Sequence, residues 1–248
     1  MILQESSVLI TGGAGDVGRF LVDGLRSKCK AVALLDLDDE KCEALKAKGV
    51  PFVEQCDLTD PEQIANSFDA LEESGFVPDV IVNNAGLIYS EPLYNMLNRE
   101  DGRHSLDGWQ RTMAANVDTT FLVTREMVSR WMKKRKKGSV INISSISADG
   151  NPGQTAYSAA KGAVISMTKA WAKELGPMGL RFNAIAPGFF DTASTSKALN
   201  EAIIDRIKSS VPLRSLGDPA DLLTAVAFLI ENNYANGMVL RLDGGLTI

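Results

Sequence analysis

Short apolar runs, most of them β-branched, recur along the chain between longer amphipathic stretches. That alternation limits the folds open to it more than any other feature. The runs lie at 8–11, 31–35, 52–53, 80–82, 140–143, 181–186 and 238–240, and each is short enough for a strand. The stretches at about 16–28, 40–48, 61–73, 106–136, 154–175 and 219–230 have helical spacing. Strands that alternate with helices form a parallel sheet covered on both faces. No linker rich in Pro, Gly or Ser divides the sequence, so residues 1–248 are read as one doubly wound α/β domain. Two segments break the alternation, 87–105 and 188–210, and long loops in such a domain usually serve function.

Composition removes several classes. With 45% apolar and 23% charged residues the chain is ordinary globular material. The three cysteines, Cys29, Cys42 and Cys56, are odd in number and have no metal-clip spacing, which fits a reducing, cytoplasmic setting. A single histidine, His104, excludes a multi-histidine metal site, and no metal is expected. The net charge of −5 argues against nucleic acid as a partner. The one basic run, from Lys133 to Lys137, reads as a solvated helix C-terminus. No apolar run is long enough to span a membrane, and the N-terminus lacks a secretory pattern.

The first run leads into Thr11-Gly12-Gly13-Ala14-Gly15-Asp16-Val17-Gly18, which opens the first helix. Glycines there make a tight turn and let backbone N–H groups approach a pyrophosphate at a helix N-terminus. Asp36 ends the second run, where a carboxylate accepts hydrogen bonds from the adenine-ribose hydroxyls and repels a 2′-phosphate. NAD is therefore the expected cofactor. Tyr157 and Lys161 are four apart on one helix face. An ammonium near a phenol favours phenolate, so the pair is a candidate proton-transfer device. Ser144 and Ser145 follow the strand at 140–143, at the carboxyl edge where open α/β sheets bind ligands.

These residues resemble the short-chain dehydrogenase/reductase superfamily in its single-domain branch, over essentially the whole chain. The glycine turn, Asp57-Leu58, Asn83-Asn84-Ala85-Gly86, Asn116-Val117, Ser144-Ser145, Tyr157-x-x-x-Lys161, Pro187-Gly188 with Thr192, and Asp243-Gly244-Gly245 carry the likeness. The resemblance implies a Rossmann-type oxidoreductase, with Tyr157 as general acid/base and Lys161 on the nicotinamide ribose, lowering the tyrosine pKa. A serine would bind the substrate oxygen, and Asn116 would hold a water of the proton relay. Gly12, Gly15, Asp16, Val17, Gly18 and Asp36 would hold the cofactor, with Asp57 and Leu58 flanking adenine. Asn84, Ala85, Gly86, Pro187, Gly188, Phe190 and Thr192 would line it further.

Two departures stand out. Asp16 occupies a position where the branch usually has glycine, and Gly15 restores a G-x-x-G-x-x-G spacing. A serine thirteen residues before the tyrosine is Ser144, whereas strand register points to Ser145. The register is followed, because loops absorb deletions more easily than strands. The region from Gly217 to Gly244 and the polar insertion at 89–105 resemble 3-hydroxyacyl-CoA dehydrogenases of the 17β-hydroxysteroid type 10 kind. Asn151-Pro152-Gly153-Gln154 resembles 3-oxoacyl carrier-protein reductases, although Met178 stands where those often carry a basic residue. A 3-hydroxyacyl or 3-oxoacyl thioester is the expected substrate. A small or cyclic secondary alcohol and a non-catalytic nucleotide-sensing scaffold are the alternatives. Small residues along the helix after Gln154, with the resemblance, imply a homotetramer.

Overall fold

The computed structural model describes residues 1–98, 100–193, 195 and 200–247, so residue 99 of the first long segment and 194 and 196–199 of the second lie outside the described residues. Among the described residues seven strands form one parallel sheet: β1 (Ser7–Thr11), β2 (Ala31–Asp36), β3 (Phe52–Gln55), β4 (Val80–Asn83), β5 (Gly138–Ile143), β6 (Leu180–Pro187) and β7 (Val239–Leu242). All seven coincide with the apolar runs of the sequence. Their spatial order is β3-β2-β1-β4-β5-β6-β7. The winding reverses between β1 and β4, so a crevice opens at their carboxyl ends.

The side-chain period of two divides the strands between two cores. Val8, Ile10, Val32 and Leu34 join one cluster with Leu21, Leu25, Leu222 and Val226. Leu9, Ala33, Leu35 and Ile81 join the other with Phe68, Met127, Trp131 and Phe182. Helices α1 (Asp16–Arg26), α2 (Asp39–Ala47) and α8 (Pro219–Glu231) cover the first face. Helices α3 (Pro61–Glu73), α5 (Thr119–Lys133) and α6 (Thr155–Leu175) cover the second. Local chemistry sets the helix ends. Asp60 accepts from the N–H groups of Glu62 and Gln63 ahead of α3, with Pro61 at its first position. Arg181 donates to the carbonyls of Leu229, Ile230, Asn232 and Ala235, neutralising the end of α8.

The structure corrects two readings of the sequence. The stretch 106–136 is not one helix. It comprises α4 (Leu106–Met113), a turn of π-helix (Ala114–Asp118), and α5. Asn116 Nδ2 donates to the carbonyl of Thr112, 2.9 Å away, taking up backbone that the wider turn releases. The segment 188–210 is not all loop, because α7 (Glu201–Ser210) starts at an Asn200 cap. Its Ile203, Ile204 and Ile207 share one face at helical spacing, but the helix is short and none of its residues is buried. No helix among the described residues is long and apolar enough to cross a membrane.

Candidate active site

The glycine turn and the segment after β4 meet at the switch point. Gly12 has a φ of +61°, and a Cβ there would lie 2.8 Å from Ala85 Cα. A Cβ on Gly18 would collide with the Gly12 carbonyl at 2.1 Å. Both glycines are therefore demanded by the protein's own packing. Gly15 is different. Its φ is −71° and the nearest atom to a Cβ would be Gly12 O at 3.5 Å, so none of the described residues requires glycine there. Its bare Cα at the start of α1 leaves space for a phosphate to approach, which fits a dinucleotide. Asp16 and Val17 begin that helix, with Asp16 exposed.

Asp36 closes the turn from the side of β2. Its Oδ2 accepts from Ala14 N at 2.8 Å and its Oδ1 from Asp38 N at 3.1 Å. The carboxylate is thus fixed beside the turn, with lone pairs to spare for further donors. On the other side, Thr11 Oγ1 accepts from the N–H groups of Asn84 and Ala85, each at 3.1 Å. Asn84 Nδ2 returns the tie to the carbonyls of Thr11 and Gly12. Asp57 holds Thr59 through both its N–H and its hydroxyl, and Leu58 is buried in the second core.

The reactive groups gather beyond β5. Lys161 is buried on α6, and its Nζ donates to Ile143 O at 3.0 Å and lies 5.6 Å from the centre of the Tyr157 ring. Burial brings the lysine down to about 8 from its ordinary 10.5. Tyr157 is buried too, and that burial pushes the phenol up, while a hydrogen bond with Ser145 pulls it down. The direction reverses the sequence expectation for the free protein. Desolvation of the phenolate outweighs the Ser145 hydrogen bond, and the lysine Nζ is directed at a backbone carbonyl. Ser144 is buried, with its hydroxyl donated to Lys161 O at 2.9 Å. Ser145 is half-buried and close enough to Tyr157 to pull its phenol down.

Asn116 reaches the same place from the π-turn. Its Nδ2 also donates to Leu87 O at 2.9 Å, while its Oδ1 is buried without a partner among the described residues. A Cβ on Gly86 would meet Asn116 Oδ1 at 2.5 Å and Lys161 Nζ at 3.2 Å. Glycine at 86 therefore keeps a side chain from being wedged against the two groups. The Asn116 carbonyl accepts from Thr120 Oγ1 at 2.8 Å, and the side-chain oxygen keeps its acceptor capacity among the described residues.

At the end of β6, Gly188 packs on Asp243, where a Cβ would come within 2.9 Å of the Asp243 Cα. That contact joins the Pro187-Gly188 and Asp243-Gly244-Gly245 elements. Phe190 is buried, and its ring fills the space over Gly217 rather than standing free in the crevice. Thr192 Oγ1 lies 2.9 Å from Thr195 Oγ1. The sequence reading gave no role of their own to Thr11, Ser147 and Gln154, whose hydrogen bonds hold the site segments together. Only the position of Thr11 just before the glycines could have signalled its role.

A nucleotide crevice at the switch point, leading to a buried Tyr–Lys pair and a serine, is the site of a Rossmann-type oxidoreductase. Comparison with known proteins agrees. A family model described as enoyl-(acyl carrier protein) reductase matches residues 14–247. The chain is 36% identical to a 3-oxoacyl-(acyl-carrier-protein) reductase of Thermotoga maritima, over the full length of both. It is 35% identical to the 3-hydroxyacyl-CoA dehydrogenase type-2 of Bos taurus, covering 96% of this chain and 94% of that one. A solved structure of 4-hydroxyisoleucine dehydrogenase complexed with NADH superposes with a TM-score of 0.86 at 29% identity, covering 97% of this chain and 98% of that one. The chain belongs to the short-chain dehydrogenase/reductase family and is an oxidoreductase acting on CH–OH groups through a nicotinamide cofactor.

Proposed function

We propose that the chain is a cytoplasmic, NAD-dependent enzyme that interconverts 3-oxoacyl and 3-hydroxyacyl thioesters, with residues 1–248 acting as one catalytic domain. The observation that carries the reading is buried Lys161, with Nζ 5.6 Å from the Tyr157 ring and bonded to Ile143 O just before Ser144 and Ser145. Two relatives named for 3-oxoacyl or 3-hydroxyacyl chemistry support the substrate class. The 87–105 loop also leaves Ile88, Leu93, Met96 and Leu97 exposed, an apolar surface that an acyl chain would cover.

When bound, a reduced nicotinamide supplies the hydride that reaches the 3-oxo carbon. Ser145 Oγ hydrogen-bonds the substrate oxygen, and Tyr157 Oη gives it a proton as it becomes an alkoxide. Burial keeps Tyr157 protonated in the free enzyme, the form needed for reduction. Lys161 and a water at Asn116 Oδ1 return the proton to Tyr157. Asp36, already fixed by Ala14 and Asp38, has acceptor capacity for ribose hydroxyls and charge that opposes a 2′-phosphate.

The test is steady-state reduction of acetoacetyl-CoA with NADH and NADPH, beside a panel of small and cyclic secondary alcohols. NADH should give the higher kcat/KM by at least about tenfold, which is about 1.4 kcal/mol of discrimination. Asp36→Ala should narrow that ratio. Equal efficiency with both cofactors would remove the NAD assignment, and turnover confined to the alcohols would remove the thioester.

The proposed assembly is a homotetramer. On α6, Ala156, Ala160 and Val164 face inward, while Ala159, Ser166 and Ala170 are exposed and allow another helix to approach closely. Phe121 on α5 is 44% exposed and offers a partner surface. Edge strand β7 is suited to a second twofold contact. Light scattering at micromolar protein should return four times the chain mass of 26.7 kDa, and a mass near one chain would defeat the assignment.

A further inference from the structure

Gln154 stands three residues before Tyr157, at the start of α6, yet its side chain does not cap that helix. It faces two other segments instead. Oε1 accepts from Ser147 Oγ and from Asn151 Nδ2, each at 2.9 Å. Nε2 donates to Ser90 Oγ at 3.1 Å, and the backbone pairs with Glu91. Three of the amide's hydrogen-bonding positions are thus occupied by groups outside α6.

Each arm leads to something that matters for the reaction. From Ser147, the backbone N–H donates to Ser145 Oγ at 3.1 Å. A serine hydroxyl otherwise rotates freely, and this bond occupies one lone pair, so the proton of Ser145 is left to turn toward Tyr157 or a substrate oxygen. From Ser90, the chain runs into Glu91, whose carboxylate accepts from Tyr89 Oη and Ser105 N, each at 2.8 Å. His104 Nδ1 lies 3.4 Å from the same carboxylate. The two ends of the 87–105 loop are therefore gathered on the residue whose backbone pairs with Gln154.

We infer that Gln154 is a positioning residue that couples the 87–105 loop to Ser145, so that order in the loop and orientation of the catalytic serine are held as one unit. The inference rests on the role proposed above for Ser145. It explains how a long surface insertion, which contributes apolar area for substrate, sets the geometry of a hydroxyl at the end of β5.

The test combines amide hydrogen exchange without substrate and kinetics of acetoacetyl-CoA reduction with NADH. Gln154→Met cuts all three side-chain bonds. It should speed exchange in both 87–105 and 145–151, raise KM and lower kcat by about tenfold each, and leave the NADH dissociation constant within about twofold. Gln154→Glu keeps the acceptor oxygens, and the Ser90 hydroxyl can donate to it, so exchange protection should return. Ser90→Ala should speed exchange in its own loop and, through Gln154, in 145–151. In the Gln154→Met background it should add nothing, the mark of a shared pathway. Exchange confined to 87–105 in Ser90→Ala, or unchanged at 145–151 in Gln154→Met, would overturn the coupling. If the wild type fails to reduce acetoacetyl-CoA, the substrate reading falls, and the exchange comparison still decides the role of Gln154.

Discussion

Tyr157→Phe should lower turnover by at least about a hundredfold, the usual worth of a positioned general acid. The change removes one oxygen from a buried ring and leaves the ring's packing in place. Ser145 would still hydrogen-bond the substrate oxygen, but no group would stand ready to give it a proton. NADH binding should persist, because the glycine turn, Asp36 and the Asn84–Gly86 segment are untouched. Fluorescence titration of NADH and single-turnover kinetics separate the two effects. A Phe variant with near-normal turnover would place the proton donor elsewhere.

Lys161→Met should be nearly inactive and, near pH 7, more stable than the wild type. The lysine is fully desolvated, and its pKa falls from 10.5 to about 8. Between those values the unfolded chain binds more protons than the folded one, so wild-type stability rises with pH across that window. Below pH 8 the cost of the buried charge is present in full, about 3 kcal/mol at roughly 1.4 kcal/mol per unit. Met removes that cost and gives up the bond to Ile143 O, worth about 1 kcal/mol, for a net gain of about 2 kcal/mol. Above pH 10.5 the advantage should disappear. Denaturant unfolding at pH 7 and at pH 10.5 or above measures it. A Met variant that is less stable at neutral pH would show that the ammonium is well solvated in the folded state.

The central strands were legible because they are buried on both faces, which writes a continuous apolar run such as Val80–Val82 into the sequence. The glycine turn and the Tyr157–Lys161 spacing were legible for a related reason, since both depend on residues close together in the chain. The π-turn at Asn116 was not, because one inserted residue leaves helical periodicity almost intact on either side. Helix α7 escaped although Ile203, Ile204 and Ile207 have helical spacing, because only ten residues carry the pattern and they follow a segment read as loop. Gln154 was hidden because its role depends on Ser90, sixty-four residues away, and on a turn that only the fold brings beside it. The upward shift of Tyr157 in the free protein was not legible, for an energetic reason. Residue spacing locates the ammonium, but it does not give the burial that raises the phenol or the carbonyl that takes the lysine's proton.

Isotope transfer tests the central claim most directly. Acetoacetyl-CoA would be reduced with each of the two NADH epimers deuterated at C4, and the product examined by mass spectrometry. The account predicts one deuterium at C3 of the 3-hydroxyacyl product from one epimer and none from the other. A product without deuterium from either epimer would contradict hydride transfer at this site.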